Sequence, residues 1–467
     1  MRIIPEPASD VVSKIIRDYT VAAGETITAG DLCDFINGEV EKVRAEDIIG
    51  TPSALNASNS RFQSAVALTD SKVFIAYQDF GNSEYNTAVV VTIDGGAIDS
   101  VGTPVALNAN YTWSQSAVAL TDSKVLVAYQ DSNTYNAAVV VTIDGTSIDS
   151  VGTPVALNAS TSDYQSAVRL TDSKVLIAYG EVDDSTFEMY TTAVVVTIDG
   201  TTIDTVGTPV ALNSSYSDYQ SAVALTDSKV LIAYRDFGNF YYNTAVVATI
   251  DGTIIDTVGT PVALNESSSD QQSAVALTDS KVLIAYRDIG NSSYNTAVVV
   301  TIDGTTIDTV GTPVALNSSY SDYQSVVVLT DLKVLIAYRD FGNSEYNTTV
   351  VATIDGTTII GGTPVALNTS NSSYQSAVLL TNSKVLIAYR DDGNSSYNTA
   401  SVYRLKSETI PDTPLIAINS AGRTQILREG DVAEIPTLTL TPGELNAIDS
   451  RLLAVSPTKY LRIGSDV

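Results

Sequence analysis

The feature that most constrains this chain is an internal repeat. The motif Gly-Thr-Pro-Val-Ala-Leu-Asn, or a close variant, recurs with its threonine at Thr51, Thr103, Thr153, Thr208, Thr260, Thr312 and Thr363. The gaps are 52, 50, 55, 52, 52 and 51 residues. A period of this size means one supersecondary unit copied along the chain, with neighbouring copies burying each other's apolar faces. Each unit carries four strand signals. In residues 221–264 they are SAVALTD, then KVLIAYRD, then an apolar run closed by Asp251-Gly252, and last TIIDTVGTPVALN. Asp-Gly is a strong hairpin signal, and Pro261 suits an edge strand, where a missing N–H costs least.

Four antiparallel strands in about 50 residues read as one propeller blade. The last unit lacks its fourth strand, and an orphan copy, IIGTPSALN, lies at 48–56. Pairing the two predicts a ring closed by both of its ends. The fold expected is all-β: a seven-bladed β-propeller of four-stranded blades, residues 46–407, inserted in a small split β-domain formed by 1–45 and 408–467. Helical periodicity is absent from the repeats, which argues against a TIM barrel, and the two-ended seam argues against a solenoid.

Composition removes several functions. The 53 acidic residues outnumber 25 basic ones, for a net charge of −28. Phosphate neutralisation needs clustered Lys and Arg, so nucleic acid is not an expected partner, nor is an anionic membrane surface. With no histidine and one cysteine, Cys33, His-dependent nucleophile systems, imidazole zinc sites and internal disulfides are excluded. No apolar run reaches the ~18 residues of a membrane span, and MRIIPEPASDVVSKII lacks the character of a signal peptide. The sequons at Asn213 and Asn317 therefore read as turn residues. No cofactor and no metal is expected.

The strand order puts the tight TDSK and IDGT turns on one face. The Asp-x-Gly-Asn loops and the connections between units lie on the other, where nearly all the variation falls. Loops on a rigid scaffold are where binding is usually built. The Asp-x-Gly-Asn loop itself, as in YRDFGNSEYNT (338–348), reads as a turn, since Asp, Gly and Asn bend a chain with little strain. It loosely resembles the sialidase Asp-box, which is itself structural, and it supplies too few oxygens for a calcium loop.

Candidate binding residues lie where the repeat breaks: Tyr111 and Trp113 in unit two, Phe187 and Tyr190 in unit three, Phe240 and Tyr241 in unit four. Arg169 joins them, replacing a small or apolar residue in the innermost strand of unit three. The three units are consecutive, so one sector of the variable face is implicated. A glycan site, a contact with another protein, and drift in tolerant loops all remain open readings of it. No catalytic residue is assigned. A glycosidase needs two carboxylates about 5–9 Å apart, and Glu181, Asp183 and Asp184 form the sole clustered exception to the repeated acids, without a nameable partner.

The ends carry a different pattern. AGETITAGDL, Asn37-Gly38-Glu39-Val40, PLIAINSA, LTPGEL and SPTKYLRIG resemble the small β-domains of tailed-phage virion proteins: head fibres, decoration proteins and tail adhesins. Leu32-Cys33-Asp34 departs from the residues usual after Ala-Gly-Asp. A short amphipathic helix behind Ser9, with Val11, Val12, Ile15, Ile16 and Tyr19 on one face, is expected before these strands. The resemblance implies a non-enzymatic protein on the virion surface, anchored by the split domain to capsid or tail proteins, forming a homo-oligomer such as a trimer. The propeller would present a face to host glycans, or serve a purely structural role; a cellular adhesin or a propeller glycosidase is the weaker alternative.

Overall fold

The structure, a computed structural model, describes residues 47–132, 135–183, 188–381 and 383–405. Beyond these it describes the backbones of seven strands: Leu32–Ile36, Glu39–Lys42, Leu415–Ser420, Arg423–Leu427, Val432–Glu434, Leu452–Ser456 and Lys459–Arg462. The segment expected as an amphipathic helix lies outside the described residues. The chain divides into two compact units. One comprises Met1–Ile48, Asp94–Gly96 and Arg404–Val467, the other Ile49–Ile93 and Ala97–Tyr403.

In the first unit, Leu32–Ile36 pairs with Glu39–Lys42 and also, through Leu32↔Ile416 and Cys33↔Leu415, with Leu415–Ser420. Arg423–Leu427 completes a four-stranded sheet drawn from both ends of the chain.

The second unit is all-β and antiparallel, with strands organised as in propeller proteins. The fifth repeat shows the plan. Strand Val262–Thr278 first pairs with Tyr242–Asp251 of the preceding repeat, through Ala245↔Val262. It then pairs with Lys281–Asp288, through Ser269↔Asp288 and Thr278↔Lys281. Lys281–Asp288 pairs with Tyr294–Asp303, which pairs with Thr306–Val310. A single 17-residue strand is thus the outer edge of one repeat and the inner edge of the next. At the seam, Tyr397–Arg404 pairs with Ser53–Thr69 through Ala400↔Ser53, joining the two ends of the repeat array.

The apolar runs are explained by what covers them. Successive strand side chains face opposite sides, and each side here meets a different repeat. Val73, Ile75 and Tyr77 pack with Leu386, Ala388 and Val402 of the last repeat, whereas Phe74 and Ala76 pack with Val125, Val127 and Tyr129 of the second. The second and third strands are accordingly buried on both faces. The innermost strands are less completely covered: Ser221, Ala222, Val223 and Ala224 are all half-buried.

Serine stitches the inner strands together. The amide of Ala117 donates to Ser64 Oγ, Ala167 to Ser116, Ala222 to Ser166, Ala274 to Ser221, Val326 to Ser273, Ala377 to Ser325, and Ala65 back to Ser376, at 2.9–3.1 Å. The asparagine of each Ala-Leu-Asn does a similar service further out. Asn213 Oδ1 accepts from Thr191 N at 3.0 Å and Asn317 Oδ1 from Asn295 N at 2.9 Å. Asn213 and Asn317 are therefore half-buried parts of the scaffold.

Candidate functional site: the central mouth on the variable face

The five Asp-x-Gly-Asn loops each form one 3-10 turn, Phe80–Asn82, Phe237–Asn239, Ile289–Asn291, Phe341–Asn343 and Asp392–Asn394. Their aspartates are consumed locally. Asp236 Oδ1 accepts from Gly238 N at 3.0 Å and from Ser215 Oγ at 2.5 Å; Asp391 Oδ1 accepts from Gly393 N at 3.1 Å and from Ser370 Oγ at 2.6 Å. Glycine is required by close approach. A Cβ on Gly238 would stand 2.5 Å from Ser215 Cβ, and one on Gly393 would stand 2.3 Å from Ser370 Cβ. Each of these carboxylates holds its own loop against the preceding connection. Among the described residues, no group of three or more His, Cys, Asp or Glu is placed to hold a metal ion.

The site lies beside these loops, at the start of the inner strands. One residue per repeat there adopts left-handed backbone: Phe62, Ser114, Tyr164, Tyr219, Gln271, Tyr323 and Tyr374, with φ of 49–57°. Each sits in a register shift of the strand pairing, such as that between Asp218 and Ser221. A bulge of this kind re-aims a side chain. Left-handed backbone costs a non-glycine residue about 1–2 kcal/mol, so its recurrence at one ring of positions marks a place where presentation outweighs local comfort.

All seven residues, with Trp113, Gln130 and Asp163, line a cavity of about 470 Å³. The rings touch around its rim: Tyr164–Tyr219 at 4.5 Å, Tyr323–Tyr374 at 4.6 Å and Phe62–Tyr374 at 4.9 Å between centroids. Buried glutamines that follow them in sequence, Gln63 to Gln375, join the same residues in lining an adjoining cavity of about 300 Å³. The result is a ring of aromatic side chains beside a ring of amides.

Around the rim, repeats four to six carry a charged arc. Arg235 Nε and Nη2 grip Asp218 at 2.7 and 2.5 Å, and Arg339 grips Asp322 at 2.7 and 2.6 Å in the same fork. Arg287 grips Asp270 likewise, with Nε at 2.6 Å. The guanidinium also lies over a ring, Arg235 at 4.8 Å from Tyr219 and Arg339 at 5.1 Å from Tyr323. Burial pushes the carboxyls of Asp218 and Asp322 above their usual range, against the lowering effect of their arginines.

Repeat three departs from this. Gly180 holds the arginine position, and Met189 Sδ stands 2.4 Å from where its Cβ would be. Asp163, the equivalent of Asp218, accepts through Oδ1 from Ser114 Oγ at 2.7 Å and from Tyr164 N at 2.8 Å. Burial again raises its pKa, with no arginine opposing it.

The residues singled out from sequence fall in different places. Trp113 lines the mouth, opposite Gln130 in register, and Tyr111 meets it edge-on at 4.1 Å. Burial, then Glu84, push the Tyr111 phenol upward. Tyr190 lines a separate cavity of about 480 Å³ with Glu181 and Asp183, and its hydroxyl donates to Glu188 Oε2 at 2.9 Å. Phe240 and Tyr241 occupy the left-handed tip of the outer hairpin, 74% and 46% exposed. Arg169 lies at the other end of its strand, by the Thr171↔Lys174 hairpin, paired with Asp172 at 2.8 Å. Phe187 and Asp184 lie outside the described residues.

Sequence reasoning missed Phe62, Asp163, Tyr164, Tyr219, Tyr323 and Tyr374. A signal existed: an aromatic residue directly precedes the repeated Gln in five of the repeats. That aromatic belongs to the regular repeat, so it does not stand out as a break in the pattern does.

No protein-family model and no curated protein matches the chain. Solved structures do. The BP39L lectin from Burkholderia pseudomallei superposes with a TM-score of 0.53 at 9% identity, covering 79% of this chain and 98% of the lectin. The WD40 domain of Toxoplasma gondii coronin gives 0.48 at 9% identity over 93% and 100%. The NanB sialidase from Streptococcus pneumoniae gives 0.43 at 9% identity over 73% and 84%. At such identities the likeness to the lectin speaks for a propeller-like fold alone.

Proposed function

We propose that the chain is a seven-bladed propeller of four-stranded blades that binds glycans, without catalysis, in the mouth on its variable face. The observation that carries this reading is the ring of left-handed residues, five of them aromatic, turned into one cavity with Trp113. Aromatic faces stack on the apolar faces of sugars while amides and carboxylates meet their hydroxyls. Three rim aspartates are tied to arginines, which favours recognition over acid–base chemistry. The lectin likeness agrees in kind. The resemblance of the end segments supports display on a virion surface, with the split domain anchoring a homo-oligomer to other virion proteins and many weak sites acting together. A second reading, contact with a neighbouring subunit, has Phe240 in its favour, since an aromatic ring 74% exposed suits an interface.

A glycan array with wild-type protein and Trp113→Ala tests the binding reading. Selective binding that the substitution weakens supports it; binding unchanged by the substitution removes the mouth. Quantitative mass spectrometry of purified particles tests display, and absence of the protein from them removes the virion reading.

A further inference from the structure

The repeats supply an internal control for the ligand of this mouth. In repeats four and six the same three parts recur: a buried aspartate, an arginine gripping it through two nitrogens, and the ring of the next residue beneath the guanidinium. Repeat three retains two of these parts, Asp163 and Tyr164, in the same register of the same strand. The third part is lost from the sequence, because residue 180 is glycine and Met189 occupies the space beside it.

The geometry points to a subsite at Asp163 for a positively charged group of the ligand, an unacetylated amino-sugar residue, in the place that the guanidinium takes in repeats four and six. This deepens the glycan reading above and rests on it. Asp163 Oδ1 is held by Ser114 and by Tyr164 N, which fixes the carboxylate; Oδ2 makes no hydrogen bond with the described residues. Trp113, Tyr164 and Tyr219 stand around the same cavity. A cation over aromatic faces gains about 0.5–2 kcal/mol, more as water is excluded, and a charge-assisted hydrogen bond to a fixed carboxylate gains more than a neutral one. The net charge of −28 draws cations toward the whole molecule, so selectivity must be read at Asp163 itself. A neutral N-acetylated sugar offers Asp163 only an amide N–H and leaves a half-buried carboxylate without a counter-charge.

The test is calorimetric titration with the β-1,4-linked glucosamine trimer and with its fully N-acetylated form, in about 0.15 M salt to screen the general field. The wild type is expected to bind the amine form more tightly. Asp163→Asn, which keeps the acceptor for Ser114 and Tyr164, is expected to weaken that binding at least about tenfold. The double variant Gly180→Arg with Met189→Ser supplies the chain's own cation and is expected to weaken it similarly. Equal binding of both trimers, or amine binding untouched by Asp163→Asn, overturns the subsite. If the amine trimer fails while a neutral glycan binds in a Trp113-dependent way, the subsite falls and the glycan reading stands. If no glycan on an array depends on Trp113, the parent reading falls.

Discussion

Repeats four and three share a bulged inner strand and differ in the residue paired with its aspartate. In repeat four, Arg235 neutralises Asp218 and covers Tyr219; in repeat three, Gly180 stands at the arginine's position with Met189 beside its Cα, and Asp163 lines the cavity. The first arrangement is closed upon itself, and the second presents its carboxylate. The comparison teaches that in a repeat protein a site can be made by subtraction. Repeats three to six carry the same aspartate, at 163, 218, 270 and 322, and loss of its arginine in one of them turns a structural group into one able to meet a ligand.

The comparison breaks most visibly if the paired arc is disrupted. Arg235→Ala leaves Asp218 buried beside Asp270 and Asp163 with its cation removed. It is expected to lower unfolding free energy by about 3 kcal/mol, measured by chemical denaturation. Arg235→Ala with Asp218→Ala should recover most of that loss. A smaller effect is expected at the loop beside the arc. Gly238→Ala forces a Cβ against Ser215 and should cost about 2 kcal/mol, with partial recovery when Ser215→Gly is added.

Asp163 should behave in the opposite sense to Arg235. Its pKa is raised in the folded state, so the stability it contributes is full below the ordinary value of 3.8 and is lost as pH rises through the folded value. Asp163→Asn is therefore expected to raise the melting temperature modestly at pH 7, with the gain disappearing below 3.8. A variant less stable than wild type at pH 7 would show that Asp163 has a counter-charge after all. The smallest effect is expected at Ser83, an exposed left-handed residue with φ 54°. Ser83→Gly should add about 0.5 kcal/mol by relieving that conformation.

Much of the fold was legible because periodicity is a long-range signal. Seven copies of KVLIAYRD-like runs could be buried on both faces only by having repeats on both sides, and the orphan strand at 48–56 had one partner to find, the strand Tyr397–Arg404. The site was less legible. Trp113 was found because it is the chain's one tryptophan, but Tyr164 and Tyr219 are ordinary members of the repeat. Their importance comes from a bulge that turns the ring positions of all seven inner strands toward one cavity. Sequence pattern predicts alternation between two faces and carries no direct sign of a residue turned out of that alternation. Arg169 shows the same limit from the other side. It breaks the pattern within the right strand, yet five residues beyond Tyr164 it stands at the opposite end, in an exposed pair with Asp172, where ion pairs contribute little.

The central claim is that ligand enters this mouth, and the chain provides its own probe there. Trp113 is the single tryptophan and lines the cavity, so its emission reports on that place alone. The measurement is tryptophan fluorescence during titration with a glycan that calorimetry shows to bind. A saturable change in Trp113 emission, with the same midpoint as the calorimetric curve and lost on Tyr164→Ala, is the expected result. Calorimetric binding that leaves the emission of Trp113 unchanged would contradict the account and move the site elsewhere on the molecule.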